Sequence, residues 1–142
     1  MKKIIPLLVS SLLLFSCGVG DAEKTADQYH KNIQEGKFQT IVENQLSMDA
    51  KAITPVEEWL DLFNQVTSFG ELKKIEKLSG FNTSTNNGVT TVVLRYKYDY
   101  AGDVEDLYEK LILVRDGGDF EISGAAWNTD LDQLPMPSNK ND

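Results

Sequence analysis

Cysteine and histidine are nearly missing from this chain, which has one of each in 142 residues. A single cysteine, Cys17, cannot close an intramolecular disulfide, so the fold must hold without staples. With His30 as the only histidine, the usual tetrahedral zinc set of His and Cys ligands cannot be assembled. Basic residues are scarce as well: 14 Lys and Arg stand against 22 Asp and Glu, a formal net charge of −8. They form no stripe, and so acidic a surface repels nucleic acid and anionic lipid, which excludes a nucleic-acid partner. There is no Walker-type glycine loop, no Ser–His–Asp set, no metal site and no cofactor motif. No segment repeats. The one long apolar run, Ile4–Phe15, is too short to span a bilayer comfortably.

What that run does have is a context. Lys2 and Lys3 precede it, and a charged start before a short apolar stretch is the pattern of an export signal. It ends on Leu14-Phe15-Ser16-Cys17. This resembles the bacterial lipobox, with an aliphatic residue at minus three, a small one at minus one, and then cysteine. The resemblance implies that residues 1–16 are a lipoprotein signal peptide. Cys17 would then carry diacylglycerol and anchor the chain to a membrane, with 17–21 as a lipidated tether. Two or three acyl chains such as palmitate make that anchoring effectively stable. Residue 18 is Gly rather than Asp, so the familiar inner-membrane retention signal is absent. The periplasmic side of the outer membrane is favoured if the host has two. Without Lys2 and Lys3 the chain has 12 basic and 22 acidic residues, net −10.

The remainder suits one α+β domain over 22–127 with a modest core. Ala22, Ala26, Tyr29 and Ile33 make one apolar stripe, so a helix is expected over 22–35, started by Asp21 and stopped by Gly36. A second helix, 37–46, buries Phe38, Ile41 and Val42. Residues 47–53 are unclear; Met48 reads as a core plug or a cap. Thr54, Pro55 and Glu57 form a capping box with a proline inside it. The helix that follows, to about Phe69, shows Val56, Trp59, Leu60, Phe63 and Val66 on one face, and Trp59 and Phe63 should anchor it. Residues 71–81 carry helical spacing between two glycines, and strand is preferred for most of them. The polar cluster 82–88 reads as a hairpin loop. Then come three strands: 88–100 with a clean period of two, 106–115, and 119–127 after a glycine turn at 116–119. Residues 128–142 read as a flexible tail in which Leu131 and Leu134 dock briefly.

Three stretches carry a further likeness: Pro55–Phe69 with Gly70-Glu71-Leu72-Lys73, then Val92–Tyr96 leading through an acidic turn to Glu109–Arg115, then Asp116–Gly124. Together they resemble the nuclear transport factor 2-like superfamily, over roughly 22–127, in an uncharacterised exported or lipid-anchored bacterial branch. That implies N-terminal helices packed on a strongly curved antiparallel sheet of about four strands, closing into a cone. Some members of that superfamily are isomerases, dehydratases or hydrolases, many bind ligands or partners without catalysis, and several dimerise through the sheet. Fold alone does not choose among these.

Tyr96, Tyr98 and Tyr100 share one face of their strand and, with Trp59, could line a groove for a ring-shaped or apolar ligand. Glu109 shares a face with Leu107, Leu111 and Leu113 and is the best inward carboxylate, with a salt bridge to Arg95 or Lys97, or simple exposure, as its plainer role. His30, beside Tyr29 and off the stripe, is expected at the surface or cavity rim. Asp103, Glu105 and Asp106 cluster at a turn but lack a calcium loop, and read as a solvated rim. Val93, Ile112 and Val114 would make the other sheet face apolar enough to suggest a homodimer. The expectation is a membrane-anchored envelope lipoprotein with a non-enzymatic domain that binds a small ligand or an envelope protein. The alternatives are a small-molecule isomerase or hydrolase using a cavity carboxylate and tyrosine, and a sheet-mediated dimer or assembly factor.

Overall fold

A computed structural model describes the backbone of residues 4–137 and the side chains of residues 18–137. Helix α1 spans Ile4–Gln34, α2 Phe38–Asn44, α3 Met48–Ile53 and α4 Val56–Ser68. Strands follow at Leu72–Lys77 (β1), Asn82–Asn86 (β2), Val89–Tyr100 (β3), Leu107–Asp116 (β4) and Glu121–Asn128 (β5), with a 3-10 turn at Leu131–Gln133. The architecture is α+β: four helices packed against a five-stranded antiparallel sheet. Among the described residues no helix is long and apolar enough to cross a membrane.

Local signals explain most boundaries. α1 ends where Gly36 takes a positive φ of 72°. There Lys37 N–H reaches the Asn32 carbonyl at 2.8 Å and Gly36 N–H the Ile33 carbonyl at 3.1 Å, which is a Schellman closure. Asp21 does not cap this helix. It lies well inside it and pairs with Arg115 at 3.2 Å, so the stretch read as a tether is helical. The 47–53 stretch is a helix, and its cap is Ser47, whose Oγ accepts from Ala50 N–H at 3.1 Å. Met48 is neither plug nor cap, being 83% exposed. The expected capping box is not formed: Thr54 closes α3, and Pro55 itself is the residue before α4, with no side-chain cap. Gly70 follows α4 in a tight space, where a Cβ would sit 3.2 Å from the side chains of both Tyr100 and Val104 and would press on them.

The strand order is β1-β3-β4-β5, and β2 also pairs with β3. The twelve-residue β3 therefore serves two partners on one side. Its first half faces β2, from Val89↔Asn86 to Val93↔Asn82, and its second half faces β1, from Tyr96↔Lys77 to Tyr100↔Leu72. The polar cluster expected to be a loop is thus strand β2 plus a two-residue turn. Asn87 and Gly88 both take positive φ, 53° and 82°, the signature of a type I′ hairpin. β2 buries almost nothing, so no period of two marks it.

Helices cover one sheet face. Ala22, Ala26, Tyr29 and Ile33 of α1 meet Val92, Leu94, Tyr96 and Tyr98 of β3 and Leu111 and Leu113 of β4 in one core, which α4 joins through Trp59, Phe63 and Val66. On the other face runs the chain after β5. Part of the segment expected as a flexible tail lies there: Leu134 is buried, Arg95 Nη1 donates to its carbonyl at 3.4 Å, and Lys110 Nζ donates to the Pro135 carbonyl at 3.2 Å.

Candidate functional site

The molecule's polar interior lies where α1 crosses the second half of β3. Helix α1 supplies two successive residues, Tyr29 and His30. β4 supplies Glu109, whose inward direction follows from the strand's alternation, with Leu107, Leu111 and Leu113 buried beside it. β3 supplies Tyr96, directly opposite Glu109 in register, and Tyr98. β5 supplies Trp127, opposite Glu109 on the other side.

Glu109 is 0% exposed. Tyr29 Oη donates to its Oε2 at 2.9 Å, and His30 Nε2 lies 2.6 Å from its Oε1, within hydrogen-bonding distance. His30 stacks among aromatics: its ring lies 4.2 Å from that of Tyr96, 5.0 Å from Tyr29 and 5.8 Å from Tyr98, centroid to centroid. Tyr96 Oη, Tyr98 Oη and Trp127 Nε1 are buried without a hydrogen-bond partner among the described residues. Glu109 and the Trp127 indole both lie beside Tyr98 Oη, but neither reaches hydrogen-bonding geometry there.

Burial, and then the nearby Glu109 carboxylate, push the Tyr29, Tyr96 and Tyr98 hydroxyls far above the ordinary tyrosine value. Tyr100 is pushed up to about 12 by the same two causes in the same order. All four stay neutral at any physiological pH and act only as hydroxyl donors or acceptors.

The residues singled out from sequence separate into two groups. Tyr96, Tyr98 and Glu109 come together. Tyr100 and Trp59 do not join them: Tyr100 Oη donates to the Val66 carbonyl at 2.8 Å, and Trp59 Nε1 donates to the Ala50 carbonyl at 3.2 Å, so both tie elements to one another. Glu109 has no bridge to Arg95 or Lys97. Those project to the opposite face, where Arg95 holds the C-terminal segment and Lys97 lies 3.4 Å from Asp99 and 3.8 Å from Asp106. Val93 is 3% exposed, while Ile112 and Val114 are half-buried on that same outer face. The Cys17 side chain lies outside the described residues, as do the side chains of the leader before it. Among the described residues no cluster of three metal-ligating side chains occurs.

His30 corrects the expectation of a surface or rim position: it is 5% exposed. The available signal was its spacing, four residues after Ala26 and three before Ile33, both on the buried face. Trp127 was likewise unrecognised as a neighbour of Glu109.

Two grooves of about 400 and 420 Å³ lie nearby, and neither is lined by Glu109, Tyr96 or Tyr98. The first is polar, between α1, the end of α2 and the β4–β5 turn. The second, between α4 and β5, touches the cluster only through Trp127. Chemically, a carboxylate bridged to an imidazole and flanked by phenols can hold or pass a proton. Here it is enclosed on every side by side chains. The chain matches no family model, and no curated protein matches it.

Proposed function

We propose that the chain is an exported bacterial lipoprotein, anchored through acyl chains on Cys17, whose domain binds a small ligand or a protein in the envelope without catalysing a reaction. The burial of Glu109 carries the non-catalytic half. This carboxylate is 0% exposed, and both its oxygens are occupied by Tyr29 and His30. A general acid or base must reach the proton it transfers, and nothing outside the core reaches this one. The polar cluster acts as a strut that locks α1 to the sheet.

The anchoring half is supported by Lys2, Lys3, the Ile4–Phe15 run and Leu14-Phe15-Ser16-Cys17. The helix is consistent with it. Ala22, five residues past Cys17, is already 0% exposed, and five helical residues rise only about 8 Å. Acyl chains on Cys17 would hold the domain close to the bilayer. Gly18 favours the outer membrane where the host has one. The nuclear transport factor 2-like cone is part of the proposal. Irregular register at Leu72/Lys74 and at Ile112/Leu113 supports it, since bulges bend and twist a sheet.

Intact mass spectrometry of the membrane fraction tests the anchor. A chain beginning at Cys17 with added acyl mass is expected, and Cys17→Ser should release the protein from membranes. An unacylated chain, or one beginning elsewhere, would overturn it.

One observation favours the enzyme reading: two buried tyrosine hydroxyls without partners stand beside Glu109. Catalysis there would require Trp127 to swing away and admit substrate. Turnover that Glu109→Gln abolishes at unchanged stability would establish it, and none is expected.

A further inference from the structure

The sheet has two edges, and they are built differently. At one edge β1 reads LKKIEK, with Lys73, Lys74 and Lys77 along it, and β2 is short and polar. Charge and brevity are the usual devices that keep an edge from recruiting another strand. At the other edge β5 reads EISGAAWN. From Ser123 to Asn128 it has no charge and no proline.

The fold covers only the start of that edge. Ile122 N–H donates to the Gln45 carbonyl at 2.7 Å, and Ser47 N–H donates to the Ile122 carbonyl at 2.8 Å, a short parallel bridge through Leu46. The bridging segment then turns away into α3 at Met48. Past it, the alternation of the β4–β5 ladder leaves the N–H and C=O of Ala125 and Trp127 pointing outward, because these residues oppose Leu111 and Glu109 in the same phase as Ile122 opposes Leu113.

The 420 Å³ groove lies along this stretch. It is lined by Ala125, Ala126 and Trp127 of the edge strand, and it reaches inward to Leu107 at the start of β4. Its far wall is α4, with Leu62, Val66 and the 39%-exposed Phe69. A hollow of about 230 Å³ adjoins it, sharing Leu62 and Gln65 and adding Glu58 and Asp61. The site is therefore an unpaired backbone edge, an apolar trough and an acidic rim.

We propose that this edge receives an extended segment of a partner protein as an added strand, with apolar side chains in the trough and lysines or arginines against Glu58 and Asp61. The proposal deepens the protein-binding reading and rests on it. Charge selects the occupant. A second copy paired edge to edge would bring two acidic α4 rims together on a chain of net charge −8, whereas a basic strand neutralises them.

The test is fluorescence anisotropy of a labelled, capped peptide of alternating valine and lysine, titrated with the purified full chain. Saturable binding is expected. N-methylating alternate peptide amides, or Ala125→Pro in the protein, should each weaken it about five- to tenfold, the worth of one or two backbone hydrogen bonds. Glu58→Lys with Asp61→Lys should reverse the preference toward a valine–glutamate peptide. No saturable binding, or binding indifferent to N-methylation, would overturn the proposal. So would a concentration-dependent dimer that Ala125→Pro dissolves, since the occupant would then be a second copy. If Ala125→Pro fails to fold, the N-methylated peptide still decides. Acylation at Cys17, scored by mass on the same preparation, stands or falls separately, so failure of the peptide arm is not failure of the anchor.

Discussion

The helix-facing side of the sheet has two ends of equal burial and opposite chemistry. At one end Val92 pairs with Leu113 and Leu94 with Leu111, and Ile122 completes an aliphatic layer. At the other end Tyr96 pairs with Glu109 and Tyr98 with Leu107, with His30 and Tyr29 descending from α1 and Trp127 closing the side. Aliphatic packing is strong but non-directional, and it tolerates small shifts of a helix across a sheet. A buried carboxyl group bonded to two side chains of one helix is intolerant of such shifts, because a displaced partner leaves an unpaired polar group in a dry interior. The aliphatic end supplies stability and the polar end fixes where α1 sits.

Raising the pH should break the polar end first. Tyr29, Tyr96, Tyr98 and Tyr100 are all held above their ordinary value. Their hydroxyls favour the fold fully below the unfolded value of about 10, and that contribution is lost as pH rises beyond it. Stability by urea denaturation should be flat near neutrality and fall steeply above about pH 10, with these tyrosinates appearing only as the protein unfolds. Absorbance from more than one tyrosinate in a still-folded protein would show the cluster open to water, since Tyr108 is the one of the five tyrosines outside this set.

Single substitutions sharpen the contrast. Glu109→Ala, which strands His30 and Tyr29, should cost about 3–5 kcal/mol. Leu111→Ala, a cavity at the aliphatic end, should cost about 2–5 kcal/mol and leave the tyrosine titration unchanged. Tyr29→Phe removes a bond to a charged acceptor and should cost about 1.5–3 kcal/mol. Tyr98→Phe removes a hydroxyl that has no partner and should fall within about 0.5 kcal/mol of wild type or stabilise the protein. Equal losses for Tyr29→Phe and Tyr98→Phe, measured by the same denaturation, would show that their hydroxyls are not differently engaged.

The sequence revealed strands more readily than the site. β3 and β4 bury alternate residues, so their period of two was plain, and with it the inward direction of Glu109. α4 showed its face through Trp59, Phe63 and Val66, although its start is set by the Thr54–Pro55 break and not by a capping box. β2 was invisible because Asn, Thr and Ser on an exposed ladder carry no burial pattern, and the same residues serve in loops. α3 was missed because its two large apolar residues, Met48 and Ile53, are 83% and 81% exposed. His30 was obscured by its neighbour. Tyr29 and His30 are about 100° apart on the helix, yet both are buried because Glu109 reaches up between them. That contact spans 79 residues of chain, and no local pattern contains it.

The central claim is that His30 and Glu109 form one closed structural unit. A double-mutant cycle tests it most directly: His30→Ala, Glu109→Ala and the pair, each measured by equilibrium denaturation at neutral pH. The account predicts a coupling of about 2–3 kcal/mol, with the double variant far less damaged than the sum of the singles. Additivity within about 0.5 kcal/mol would mean that the two side chains do not depend on each other, and would contradict the account.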